Sequence, residues 1–304
     1  MLKKWAVLLL SLITIISFSS CSSNNQTYGE SEETKIQVSV TFNAMKEFVY
    51  AVGQDKVEIS TIIPDGTEAH SFEPKAQDLA ALSTADIFVY NGLGMESWAD
   101  DAIESANNDK LIVVKASDGV DTITNTDAEE VEEHGQYDPH TWLSLKCAEI
   151  EVENIKDALV EADPDNKDYY EENCSNYISQ LESLFNEYYE KFKSVEKKSF
   201  VTGHAAFTYL CRDFGLEQNS VENVFAEGEP SAQQLVELVN YCRENNVTTI
   251  FSEEMVSTEI SQTLADEVGA NVETIYTIAN NEDDKTYLER MSENLSKIYE
   301  SLID

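Results

Sequence analysis

Residues 199–216, SFVTGHAAFTYLCRDFGL, decide the fold. Ser199 to Thr202 is a β-rich run, Gly203 turns the chain, and His204 opens a helical pattern from Ala205 to Phe214. A strand that passes through a glycine into a helix is the unit from which parallel sheets are wound. It leaves the residue at the turn just beyond the carboxyl end of the strand, where open α/β sheets place ligands. A helix starting there would also disfavour imidazolium, so it is expected to keep His204 neutral.

The same rhythm runs outward in both directions. Upstream, the strand candidates are Ile36 to Thr41, Val57 to Ile63, Ile87 to Tyr90 and Leu111 to Val114. Downstream they are Thr248 to Ser252 and Val272 to Tyr276. Two α/β lobes are predicted. Between them, after the break at Asp163-Pro164-Asp165, Ile178, Leu181, Phe185, Tyr188 and Phe192 recur at spacings of 3, 4, 3 and 4, the apolar stripe of one long helix. A single helix joining two lobes makes a stiff hinge. The expected layout is a signal peptide at 1–20, a tether at 21–34, an N-terminal lobe at 35–165, a linking helix at 166–195 and a C-terminal lobe at 196–304.

The start of the chain sets the compartment. Lys3 and Lys4 precede an apolar run from Ala6 to Phe18, and Ser19-Ser20-Cys21 follows directly. A small-small-Cys ending is a lipobox, so Cys21 is expected to carry lipid and to become the new N-terminus. The apolar run is shorter than the roughly 20 residues that a membrane-spanning helix needs. Ser22 to Glu33 reads as a flexible tether that leaves a soluble domain outside the membrane.

The formal net charge is −38, and loss of residues 1–20 removes two lysines and no acid. Such a surface repels nucleic acid and offers no basic patch to release counterions. It keeps an exported protein soluble and mildly enriches cations nearby. Within Asp121 to Asp138, Asp127, Glu129, Glu130, Glu132, Glu133 and His134 stand together with no Lys or Arg. That stretch reads first as a solvated, mobile loop, and second as a weak metal antenna. Cys147, Cys174, Cys211 and Cys242 form no CxxC pair; a Cys211–Cys242 bridge and buried free thiols are both open.

The chain has only four histidines, and three lie in distinct, widely separated phrases: EAHSFEP at His70, DPHTWL at His140 and TGHAAF at His204. His70 follows the strand Val57 to Ile63 across the turn Pro64-Asp65-Gly66, so it too stands beyond a strand's carboxyl end. Three imidazoles converging from distant loops suit zinc. Gly92-Leu93-Gly94 after a strand lacks the third glycine of a dinucleotide loop, and Glu96 would repel a pyrophosphate; it reads as a tight strand-to-helix turn. Three histidines also serve catalytic zinc in hydrolases, but HExxH and Gly-x-Ser-x-Gly are both absent, so no enzyme is expected.

HSFEPKAQDLAAL, ADIFVYNGLGMESW, DPHTWLS, VTGHAAFTYLCRDFGL, GEPSAQQL, IFSEE and YLERMSENLSKIYESL occur in this order across nearly the whole mature chain. Together they resemble the metal-binding solute-binding lipoproteins of zinc and manganese ABC importers, the ZnuA-like, TroA-like family. The resemblance implies two pseudo-symmetric α/β lobes with parallel β-sheets flanked by helices, joined by one long rigid helix, with the metal in the cleft between lobes. It implies His70, His140 and His204 as ligands, zinc as cargo ahead of Mn2+ or Fe2+, and an ABC permease with its ATPase as partners of a monomeric, lipid-anchored protein.

Relatives similar to manganese binders commonly carry Glu where this chain has His204, and imidazole suits zinc as carboxylate suits Mn2+. Many relatives also supply an acid within the segment matching Thr277-Ile278-Ala279-Asn280, where this chain has none. Glu282, Asp283 and Asp284 are expected to reach in if their loop folds back; Glu68 and water are the other candidates for a fourth donor. Glu253 is expected to orient a ligand from behind. A surface adhesin with a structural metal is the second functional reading, since lipid-tethered relatives have been regarded that way.

Overall fold

A computed structural model describes residues 35–125, 131, 135–224, 231–253, 258–281 and 283–303. The signal peptide, Cys21, the tether, Glu282 and most of the acidic stretch with His134 lie outside the described residues.

Buried strands of parallel sheets carry apolar residues on both faces; Ile87–Tyr90, IFVY, does so, whereas Ile36–Val40, IQVSV, alternates Ile36, Val38 and Val40 with Gln37 and Ser39. β1 (Ile36–Val40), β2 (Val57–Thr61), β3 (Ile87–Tyr90) and β4 (Ile112–Lys115) form one parallel sheet in the order β2-β1-β3-β4. β5 (Ser199–Thr202), β6 (Glu217–Ser220), β7 (Thr249–Glu253) and β8 (Asn271–Ile275) form a second in the order β6-β5-β7-β8. The two sheets repeat one topology. In each, the winding reverses across the first strand, between β1 and β3 and between β5 and β7, and such a reversal opens a crevice at the carboxyl ends.

The helices described are α1 (Asn43–Gly53), α2 (Ala99–Ala106), α3 (Leu145–Ala162), α4 (Lys167–Lys193), α5 (Thr208–Phe214), α6 (Ala232–Glu244), α7 (Thr258–Val268) and α8 (Tyr287–Ile303). Pro164 stops the chain from running straight from α3 into α4 by opening a separate short turn, Pro164–Asn166. α4 has 27 residues and so spans about 40 Å at 1.5 Å per residue. Of its expected stripe, Leu181, Tyr188 and Phe192 are buried, while Ile178 and Phe185 are half-buried against the same core. That core is continuous from Ile36 in the first sheet to Phe200, Phe251 and Ile275 in the second and on to Leu302 in α8. The opposite face of the second sheet forms a smaller core, in which Val201 and Ile250 meet Leu238 and Cys242 of α6 and Leu264 of α7.

Cys147, Cys174, Cys211 and Cys242 are all buried free thiols. The ends of the acidic stretch are paired: Thr124 bridges Tyr137, and Asn125 N donates to Gln136 O at 2.9 Å. No helix of the described residues is long and apolar enough to cross a membrane.

Candidate metal centre

Each site residue stands at or beyond the carboxyl end of a strand. His70 follows β2, His140 lies between β4 and α3, His204 is two residues past β5, Glu253 ends β7, and Asn280 follows β8. The two sheets therefore present their loops to one cavity, lined by Glu68, His70, His140, His204, Glu253 and Asn280 among others and enclosing about 20 Å³, room for a single ion or water.

The three rings converge through Nε2. His70 Nε2 is 3.1 Å from His140 Nε2, and His204 Nε2 is 3.4 Å from it. One potential ligand atom from each ring lies within 4.8 Å of those of the other two. A tetrahedral zinc with Zn–N bonds of about 2.0–2.1 Å holds its ligand atoms roughly 3.3 Å apart, so these spacings are those of a zinc coordination sphere. Nitrogen lone pairs turned toward one another at this range repel, and a cation among them removes that repulsion.

His140 is held from behind. Asp138 Oδ1 accepts from His140 N and from His140 Nδ1, each at 2.9 Å. A carboxylate only accepts, so Nδ1 carries the hydrogen and the Nε2 lone pair faces the cavity. The turn that carries the ring is fixed by Asn91, whose Nδ2 donates to Pro139 O at 2.8 Å and whose Oδ1 accepts from Thr141 Oγ1 at 3.0 Å. Trp142 packs on the ring at 5.2 Å between centroids, and its Nε1 donates to Thr277 O at 2.7 Å. Burial lowers the His140 pKa, and the hydrogen bond and charge of Asp138 offset this only in part. The ring stays neutral and available to a metal.

His204 differs in its support. Glu253 Oε1 accepts from His204 N at 3.0 Å and stands 3.4 Å from Nδ1, too long for a well-formed hydrogen bond but close enough for a strong charge interaction. Burial pulls the pKa down, and the Glu253 carboxylate, with the charges of Glu68 and Glu222, outweighs it, so the net shift is upward. This corrects the expectation that a helix start keeps His204 neutral. α5 begins at Thr208, four residues on, and a carboxylate rather than a helix end governs the ring.

The candidate oxygen donors part company. Glu68 lines the cavity while its Oε1 accepts from His70 N at 2.9 Å. Glu253 lines it as well and is buried. Asp283 does not: its Oδ1 accepts from Arg290 Nε at 3.0 Å and Nη2 at 2.8 Å, and its Oδ2 is 2.9 Å from Lys285 Nζ. A buried Arg290 requires that countercharge, so Asp283 is committed away from the site. Asn280 Oδ1 accepts from Gly66 N at 2.9 Å, which ties the His70 loop to the segment after β8. Glu96 serves the turn after β3, its carboxylate accepting from Asn91 N, Gly92 N and Thr41 Oγ1.

Asp138 and Asn91 lie outside the site residues expected from sequence. An acid two places before a histidine across a proline was the available signal for the first; nothing local to Asn91 announced the second.

A family model described as zinc-uptake complex component A, periplasmic (ZnuA) matches residues 38–301. The high-affinity zinc uptake system protein ZnuA of Bacillus subtilis (strain 168) is 37% identical over 318 residues, covering 100% of this chain and 99% of its own. A putative metal-binding protein of Treponema pallidum (strain Nichols) is 44% identical over 273 residues, 87% of this chain and 86% of its own. Among solved structures, the laminin binding protein Lmb of Streptococcus agalactiae, described as bifunctional with adhesin and metal transporting activity, is 35% identical with a TM-score of 0.80, covering 88% of this chain and 99% of that one.

Proposed function

The chain belongs to the ZnuA family of zinc-uptake complex components, and from that premise we propose that it is an extracytoplasmic, high-affinity solute-binding protein that captures Zn2+ and delivers it to an ABC importer permease and its ATPase. The observation that carries the reading is the convergence of His70, His140 and His204 through Nε2 at 3.1 and 3.4 Å in a cavity sized for one ion. Three imidazoles suit zinc over manganese.

In this reading the fourth coordination position falls to water or to a carboxylate of Glu68 or Glu253, and a weak fourth donor favours release to the permease. The chain is exported by residues 1–20, anchored through lipid on Cys21 and monomeric, with lobes at 35–165 and 196–304 about the helix at 166–195. The cargo is bound rather than used in catalysis. One oxygen of Glu253, the buried carboxylate of the cavity, accepts from His204 N, and the other is left to the cavity.

Exposing the purified apo-protein to equimolar zinc and manganese and then measuring bound metal tests the assignment. Zinc loading is expected, and preferential manganese loading overturns it. A second reading, adhesion, is favoured by the solved relative whose description joins adhesin and metal transport. Deleting the gene separates the two: a growth defect in zinc-poor medium that added zinc rescues belongs to uptake.

A further inference from the structure

The short helix α5 begins four residues after His204, yet polar side chains along it reach the other half of the molecule. Thr208 Oγ1 donates to Asp138 Oδ2, and Tyr209 Oη donates to Asp138 O at 2.7 Å while accepting from Ile123 N at 3.1 Å. At the far end of the helix, Asp213 Oδ2 accepts from Ser144 Oγ, the N-cap of α3. Asp138 is thereby divided. One oxygen holds His140, and the other is held by the helix that follows His204.

We propose that Thr208 is a positioning residue for metal capture: through Asp138 it fixes the orientation and the Nδ1–H tautomer of His140, and it ties that ring to the element that carries His204. The inference rests on the metal-binding reading of the three-histidine cavity. A carboxylate held at one oxygen only is free to rotate about its terminal torsion, which is broad, and on rotating it offers His140 Nδ1 a different acceptor direction. The Thr208 hydroxyl removes that freedom because it approaches the second oxygen from a helix anchored independently by Tyr209 and Asp213. The pin also spans the two halves of the site, so His140 and His204 are set against each other before an ion arrives, which lowers the ordering cost of binding.

The test compares Thr208→Val, which keeps the branched shape and loses the hydroxyl, with Thr208→Ser, which restores it, and Tyr209→Phe, which cuts a parallel contact without touching the Asp138 carboxylate. Ring 15N chemical shifts of the histidines in the metal-free protein report the tautomer, and chelator competition with zinc chloride reports affinity. The valine variant is expected to lose the pure Nδ1–H state of His140 and to bind zinc about tenfold more weakly, the lower end of the usual loss for a residue behind a metal ligand. Serine is expected to recover both. Tyr209→Phe is expected to lower thermal stability and leave the tautomer intact. A valine variant with the wild-type tautomer, an affinity within twofold of wild type, a loss that serine fails to recover, or the same tautomer change in Tyr209→Phe would each overturn the assignment. The tautomer is read without metal, so it decides the role of Thr208 even if the wild-type protein proves not to bind zinc.

Discussion

Gly203 and Glu253 approach so closely that a β-carbon on Gly203 would lie 2.0 Å from Glu253 Oε2. The glycine is required by that approach, which brings the carboxylate alongside His204. Its Oε1 is anchored on His204 N, so the carboxylate cannot move aside without giving up that bond. Gly203→Ala is therefore expected to fold, because the atom displaced is the end of a side chain, and to lose about tenfold in zinc affinity as the support behind His204 shifts. Chelator competition measures the loss, and a melting temperature near that of wild type shows that the site rather than the fold has been hit. Wild-type affinity in a folded alanine variant would mean that Glu253 contributes nothing to the metal centre.

Metal preference should follow the donor at position 204. Replacing His204 with glutamate exchanges a borderline nitrogen for a hard oxygen, which disfavours zinc relative to manganese. It also sets a second carboxylate against Glu253, a repulsion that a cation relieves. The zinc-to-manganese ratio bound from an equimolar mixture is expected to fall in His204→Glu relative to wild type, and an unchanged ratio would show that selectivity resides elsewhere in the cavity.

A strand such as β3, IFVY, is legible in sequence because burial on both faces leaves a continuous apolar run, β1, IQVSV, because it alternates, and the three histidines because a scarce residue recurs beyond strand ends. The polar strand β6, EQNS, is not. It lies at the edge of its sheet and joins β5 through backbone pairing that asks nothing of its side chains. The same strand delays the helix after His204, which begins at Thr208 rather than at Ala205. Gln218 of β6 donates from Nε2 to His204 O at 2.9 Å and accepts from Phe207 N at 2.9 Å, bracing residues 204–207 outside the helix until Thr208. Asp283 is drawn from the site by an equally non-local partner. Its claimant, Arg290, lies on the next helix, and its burial is a tertiary fact with no local signature.

Trp142 links His140 to the chain after β8, and the link should be visible in stability. Its ring packs on Phe42 at 4.8 Å as well as on His140, and Nε1 donates to Thr277 O. Trp142→Phe removes that hydrogen bond and leaves unfilled volume in a fully buried site, at an expected cost of about 1–3 kcal/mol. Urea unfolding of the metal-free protein measures it. A cost below about 0.5 kcal/mol, the level of an ordinary surface substitution, would show that the link contributes nothing to stability.

Glu151, fully buried on α3, should make the metal-free protein less stable as pH rises. Burial pushes its carboxyl up from 4.5 to about 8, and the charge of Glu96 adds to the shift. The neighbouring Thr141 hydroxyl pulls the other way, but its proton goes to Asn91 Oδ1, and neither Glu151 oxygen has a hydrogen-bond partner among the described residues. In the unfolded chain the group ionises near 4.5, whereas in the native protein it keeps its proton to about 8, so between these values folding takes up a proton. The stabilisation is complete below about pH 4.5 and is lost as pH climbs through 8, by a total on the order of a few kcal/mol. Glu151→Gln cannot ionise and escapes this loss. The difference in unfolding free energy between the glutamine variant and wild type, which cancels the other titrating groups, is expected to grow in favour of glutamine from pH 5 to pH 8. Any constant offset reports only the burial of an amide in place of a neutral acid. A difference that stays flat over that range would mean that Glu151 holds its charge in the core, which its lack of a cationic or hydrogen-bonding partner there argues against.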